Sequence, residues 1–289
     1  MSTDLTAGFA AAPLQEVQAA DGVTYAYRRL GSPSADGIPL VLLQHFRGNI
    51  DNWDPELVDG LAAEREVIAF DNAGIGASTG TTPDTAEEMA ADAVAFLDAL
   101  GLGTVYLLGF SLGGFVAQAI ALDHPERVRK LVLASTGPKG APGMEFWADD
   151  VVAALVTPDA PGPEQVLGVF YSDTAASREA GGASLGRIFA RQEGRDAEVS
   201  PEARKTQYYK AVLSWGVRDW DAVARLAELP QPTLIFQGDD DVMIPTRASH
   251  TLAGVIPDAR LVVYPDASHG AIFQYVTETV RRTLEFLNA

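Results

Sequence analysis

Apolar runs rich in β-branched residues alternate along this chain with stretches whose apolar positions recur every three or four residues. The runs "VTYAYRRLG" (23–31), "PLVLLQHF" (39–46), "EVIAFDN" (66–72), "TVYLLGFS" (104–111) and "VRKLVLAS" (128–135) predict strands, and "PTLIFQG" (232–238) and "ARLVVYPDA" (259–267) follow after a long gap. Several are almost continuously apolar, as parallel strands covered on both faces should be. Helical spacing predicts helices over 84–100, where Ala90, Val94 and Leu97 interleave with Ala93, Phe96 and Leu100, and over 112–122, 246–256 and 272–288. This alternation predicts an α/β fold built on a doubly wound, mostly parallel sheet. The opening "LQEVQAADGVTYAYRRLG" reads instead as a hairpin turning at Asp21-Gly22.

The rhythm stops at about residue 139 and resumes at about 229. The interval contains "GAPG" and "DAPGPE", shows no clear strand, and holds Phe146, Trp147, Phe170, Tyr171, Phe189, Tyr208, Tyr209, Trp215 and Trp220. So long a gap between core strands is not a bare loop. The expected organisation is a core of residues 1–138 and 229–289 with a helical cap over 139–228 covering the sheet's C-terminal edge. From Ala99 to Leu122 no residue is charged, which is long enough to cross a bilayer. Gly101, Gly103, Gly109, Gly113, Gly114 and Ser111 interrupt it, so a strand, a sharp turn and a buried helix are the better reading.

Composition narrows the function classes. The formal net charge of −18 repels phosphate backbones and anionic lipid, so nucleic-acid and membrane-surface roles are not expected. With no cysteine there are no disulfides, thiolate metal sites or cysteine nucleophile. The stretch "MSTDLTAGFAAAPLQEV" has no basic residue ahead of its short apolar patch, and a cytoplasmic protein is expected.

Gly-x-Ser-x-Gly occurs three times, as "GASTG" (76–80), "GFSLG" (109–113) and "GASLG" (182–186). A nucleophilic serine on this architecture belongs at the C-terminal end of a parallel strand and at the head of a helix, whose free N–H groups favour developing negative charge. Only Ser111 has a strand directly before it and a helix directly after it. Ser78 is followed by "TGTTPDT", which cannot start a helix at once, and Ser184 lies inside the insertion. A serine needs a base, and imidazole is the usual one near neutral pH. Of the four histidines, His124 follows a helix and His250 sits within one, whereas His269 lies between the last strand and the last helix and returns to the edge that carries Ser111. The imidazole needs an anionic partner, and "FQGDDDVMIP" offers Asp239, Asp240 and Asp241; Asp266 is nearer His269 but is expected on the strand itself.

"VLLQHFRGNIDNW", "FDNAGIGAS", "LLGFSLGG", "DHPERVRKLVL", "QGDDDVMIP" and "DASHG" together give a chain that resembles the α/β-hydrolase superfamily along nearly its whole length, particularly its capped esterase, lactonase and non-heme haloperoxidase-like members. The resemblance implies an α/β-hydrolase fold with a helical cap insertion and the chain order Ser, Asp, His. It selects Asp241, four residues before Pro245, with Asp239 as the alternative. It also implies an oxyanion hole made by the backbone N–H groups of Phe46 and Leu112, each donor worth on the order of 3 kcal/mol of barrier. Gln44 and His45 stand where the family pattern has His-Gly. His45 is a candidate for substrate contact or water ordering beside a packing role, Arg47 reads as a solvated rim residue, and Asp71 as structural.

The expected activity is a serine hydrolase cleaving an ester, lactone or similar acyl bond of a small molecule, with no metal or organic cofactor. Among the cap aromatics, Trp147, Phe170 and Trp215 are the expected substrate contacts. Cofactor-free haloperoxidase (perhydrolase) or carbon–carbon hydrolase chemistry on the same three residues, and a non-catalytic ligand-binding role, are the competing readings.

Overall fold

The computed structural model describes residues 8–191 and 193–289. Eight strands, β1 (Gln15–Gln18), β2 (Thr24–Leu30), β3 (Leu40–Leu43), β4 (Val67–Phe70), β5 (Val105–Phe110), β6 (Val128–Ala134), β7 (Thr233–Gly238) and β8 (Ala259–Tyr264), form one sheet in the order β1-β2-β4-β3-β5-β6-β7-β8. β1 and β2 form the expected hairpin, with Gln18 opposite Thr24 and Gly22 at φ 88° in its turn. β2 runs antiparallel to β4, and from β4 onward every neighbouring pair is parallel.

β3, β4, β5 and β7 are buried along their whole length, which explains their apolar continuity. The helix Ala86–Ala99 starts on a reciprocal cap, in which Thr85 Oγ1 accepts from the Glu88 N–H and Glu88 Oε2 accepts from the Thr85 N–H. It packs on the helix Leu112–Asp123, whose residues 112–121 are all buried. The uncharged stretch is therefore strand, turn and core helix. Among the described residues no helix is long and apolar enough to cross a membrane.

The interval between β6 and β7 folds as a helical cap. Its helices include Pro163–Phe170, Ala175–Ile188, Pro201–Thr206, a wider π-type segment Gln207–Val212, and Trp220–Arg225. Asp54, fully buried, ties this cap to the core. It caps the helix Pro55–Ala62 through the Glu56 N–H, and it also accepts from Ser184 Oγ at 2.7 Å and from Arg187 Nε and Nη2 at 2.8 and 2.7 Å.

Three local expectations shift. β3 ends at Leu43, leaving Gln44, His45 and Phe46 in the following loop. β8 ends at Tyr264, so Asp266 lies beyond the strand, at φ 51° in a turn, its carboxylate accepting from Thr174 Oγ1 at 2.7 Å. The last helix is split at Tyr275 into Ala271–Gln274 and Val276–Asn288.

Candidate active site

Ser111 sits between β5 and the helix Leu112–Asp123 with φ 55° and ψ −117°, a conformation that L-residues rarely adopt. Such strain costs of order 1–3 kcal/mol and persists only where the surroundings over-determine it. Here the Ser111 N–H donates to Ala134 O at 2.9 Å, and Ser111 O accepts from the Gly114 N–H at 2.8 Å and from Thr136 Oγ1 at 2.9 Å. The flanking glycines are a steric necessity. A Cβ on Gly109 would collide with the backbone of Gly113, and one on Gly113 would collide with the carbonyl of Leu43.

The sharp bend leaves Ser111 Oγ 2.8 Å from His269 Nε2. His269 lies in the turn after β8. That turn is moored to the cap, because Ser268 Oγ donates to Val169 O and the Gly270 N–H donates to Phe170 O. On its other side His269 Nδ1 lies 2.9 Å from Asp241 Oδ2 and 3.2 Å from Oδ1. A carboxylate accepts, so the ring proton sits on Nδ1 and Nε2 keeps a lone pair for the serine hydroxyl. Of the three adjacent acids, Asp239 and Asp240 are exposed and Asp241 is buried. The Asp241 carboxylate also accepts from the Met243 and Ile244 N–H groups, both at 2.9 Å, and from Gln237 Nε2 at 2.8 Å. Gln237 is itself oriented by Ser249 Oγ, which donates to its Oε1 at 2.7 Å.

Leu112 opens its helix, where first-turn N–H groups have no intrahelical acceptor, and the Phe46 N–H has no partner among the described residues. The loop around Phe46 is held by substitutes for the family's His-Gly pair. Gln44 Oε1 accepts from the His45 N–H at 2.9 Å, Gln44 Nε2 donates to Asn49 O at 2.9 Å, and His45 Nδ1 donates to Phe46 O at 2.6 Å. Beside this loop is a cavity of about 100 Å³ whose walls include His45, Phe46, Arg47, Leu155, Phe170 and Phe273. The Phe170 ring meets both imidazoles edge-on, at 5.5 Å from His45 and 5.4 Å from His269. Ser111 and His269 are each only 1% exposed. Among the described residues no group of three or more His, Asp or Glu is placed to hold a metal ion.

Residues 38–274 match the alpha/beta hydrolase fold family. The chain belongs to the α/β-hydrolase family. Poly(3-hydroxyalkanoate) depolymerase of Ectopseudomonas oleovorans is 32% identical over 79% of this chain and 77% of that protein. Among solved structures, an alpha/beta hydrolase fold protein from Chitinophaga pinensis is 38% identical with a TM-score of 0.91, covering 98% of this chain and 100% of that one. Est816, an N-acyl homoserine lactone degrading enzyme, is 27% identical with a TM-score of 0.72, covering 94% of this chain and 100% of that one.

Within this α/β-hydrolase the other serines in the Gly-x-Ser-x-Gly pattern hold structure. Ser78 Oγ accepts from the Ala26 N–H and donates to Asp71 O, and Ser184 Oγ donates to Asp54. Asp71 accepts from the Ile50 and Ala77 N–H groups, and burial together with the neighbouring Asp196 carboxylate raises its pKa. His250 is exposed and His124 ends the helix Leu112–Asp123.

Two of the expected substrate contacts lie elsewhere. Trp147 packs behind the Phe46 loop, 5.1 Å from the Phe46 ring and 4.9 Å from Tyr208. Trp215 stacks on Phe115 at 4.8 Å and donates its Nε1–H to Gly137 O. Each ring buries its area against protein side chains, and that of Trp215 also satisfies its N–H. Arg47 is not a solvated rim residue. It is buried at φ 64°, its N–H donates to Gln207 Oε1, and its guanidinium donates to the carbonyls of Leu155, Pro158 and Asp159, pinning the cap over the cavity. The sequence reading missed Gln207, Leu155 and Phe273. Phe273 alone carried a signal, one helical turn beyond His269.

His45 is mostly buried. Desolvation pushes its imidazole down to about 4, against the hydrogen bond to Phe46 O and helped by the nearby His269 and Arg47. The folded state therefore prefers neutral His45. Its contribution to stability is present above the ordinary histidine value of about 6.5 and is lost as pH falls from there toward 4. A histidine ¹H–¹³C titration should show the His45 Cε1–H shift constant from pH 8 to about 5. A midpoint near 6.5 would contradict the burial argument.

Proposed function

We propose that Ser111 is the nucleophile, His269 the general base and acid, and Asp241 the group that fixes the imidazole, in an enzyme that cleaves ester or lactone bonds of small molecules through an acyl-enzyme. The protein is a serine-type hydrolase of the α/β-hydrolase family. The observation that carries the assignment is the continuous line from Asp241 through both nitrogens of His269 to Ser111 Oγ, with 2.9 and 2.8 Å links.

Ser111 Oγ attacks the carbonyl carbon while its proton passes to His269 Nε2. The carbonyl π pair becomes an oxyanion received by the N–H groups of Phe46 and Leu112, the second strengthened by the helix N-terminus. Collapse expels the alkoxide, which takes the proton from His269, and leaves Ser111 acylated. Water, deprotonated by His269, repeats the sequence and releases the acid. Asp241 holds the Nδ1–H of His269 in place, its oxygens also accepting from two backbone donors and Gln237. Two similar proteins, a poly(3-hydroxyalkanoate) depolymerase and an N-acyl homoserine lactone degrading enzyme, are named for substrates of this ester type, which supports the reading. We further infer that the protein acts in the cytoplasm; subcellular fractionation tests this, and recovery outside the cytoplasm would overturn it.

A fluorophosphonate probe tests the assignment. Peptide mapping should find the adduct on Ser111, and Ser78→Ala and Ser184→Ala should still label and still hydrolyse esters while losing roughly 1–3 kcal/mol of stability through their buried hydrogen bonds. Absence of labelling in the folded protein, or an adduct on another serine, would overturn it.

A further inference from the structure

We propose that His45 Nε2 accepts a hydrogen bond from a hydroxyl or amide N–H on the acyl part of the substrate, so that the enzyme favours acyl groups carrying such a donor. The inference rests on the serine-hydrolase reading and deepens it.

The other ring nitrogen fixes the tautomer. His45 Nδ1 is 2.6 Å from Phe46 O, and a carbonyl oxygen can only accept, so the proton is on Nδ1. In the neutral ring Nε2 is then a bare lone pair. Burial keeps the ring neutral across the working range of a histidine base. Nε2 has no partner among the described residues, and the side chain forms part of the cavity wall.

The ring packs edge-on against Phe110 at 5.1 Å and Phe170 at 5.5 Å. Of the polar side chains on the wall, Arg47 donates to three carbonyls and Asn52 Oδ1 accepts from the Asn49 N–H, and neither is bonded to Nε2. An acceptor in an apolar wall loses its water when a substrate fills the cavity, and an acyl group without a donor leaves it unpaired.

Position links this acceptor to the reacting bond. His45 directly precedes Phe46, whose N–H is the proposed oxyanion donor, and its ring packs on Phe110, which directly precedes Ser111.

The test uses three matched pairs of 4-nitrophenyl esters. Lactyl is paired with 2-methylpropanoyl and 3-hydroxybutanoyl with 3-methylbutanoyl, which exchange hydroxyl for methyl. N-acetylglycyl is paired with 4-oxopentanoyl, which exchanges amide N–H for methylene. Each ratio of kcat/KM is divided by the ratio of hydroxide-catalysed rates. The wild-type enzyme should favour the donor in at least one pair by about tenfold, and the pair that responds tells hydroxyl from amide. His45→Phe should bring that ratio close to one, and His45→Gln, which keeps a side-chain acceptor, should retain part of it. Ratios near one in all pairs with ester cleavage intact, or a preference that survives His45→Phe, would overturn this inference alone. A wild-type protein inert to every ester and to the fluorophosphonate would overturn the serine-hydrolase reading with it.

Discussion

Replacing Ser111 by alanine is expected to lower kcat for ester hydrolysis by about 10⁵–10⁶-fold, and His269→Ala by a similar factor. The reason lies in the shared proton path. With 2.8 Å between Ser111 Oγ and His269 Nε2, neither group does useful work without the other. The double variant should therefore be no slower than either single one, within a factor of about three, because residues that act as a unit lose activity together. What remains above the uncatalysed rate reports the Phe46 and Leu112 N–H groups and binding alone. Steady-state kinetics on a 4-nitrophenyl ester, with circular dichroism to show that each variant folds, decides the matter. A Ser111→Ala enzyme retaining more than about one-hundredth of wild-type activity would exclude this serine as the nucleophile.

Asp54→Ala should cost about 3 kcal/mol or more of stability, although Asp54 touches no reacting group. Two effects add. The N-cap of the helix Pro55–Ala62 is lost, worth about 1 kcal/mol. The Arg187 guanidinium and the Ser184 hydroxyl also lose the carboxylate that holds the cap helix Ala175–Ile188 to the core. Removing one member of a buried ion pair costs about 3–5 kcal/mol. Arg187 is about one-third exposed and can turn to water, which lowers the ion-pair share to about 2 kcal/mol or more. The expected fall in Tm is at least roughly 6 °C. Asp54→Asn, which keeps a capping oxygen, should recover about 1 kcal/mol of it. Hydrogen exchange should show the loss concentrated in Ala175–Ile188. A variant with unchanged Tm and unchanged exchange there would show that the cap is held by packing alone.

Both predictions draw on residues that were unequally legible before folding. Ser111 stands between a strand and a helix in the linear order, and the small-residue requirement at Gly109 and Gly113 is written beside it. Asp54 carries no such mark. Its partners lie 130 and 133 positions away, and nothing local distinguishes it from any other helix-capping aspartate. Arg47 was misread for the same reason, since the carbonyls that absorb its charge belong to residues 155–159.

Periodicity by itself determined the α/β class, the hairpin, the order of the core strands along the chain and the position of the insertion, because strand and helix periods are local properties of the side-chain pattern. Local chemistry also singled out Ser111 and His269 and narrowed the acid to a few carboxylates. The family resemblance chose Asp241 among them; tertiary structure alone decided that Trp147 and Trp215 pack inward while Phe170 meets both imidazoles, and that His45 lines the cavity beside them. Those outcomes depend on distances between segments far apart in sequence, and such distances exist only once the cap has closed over the sheet.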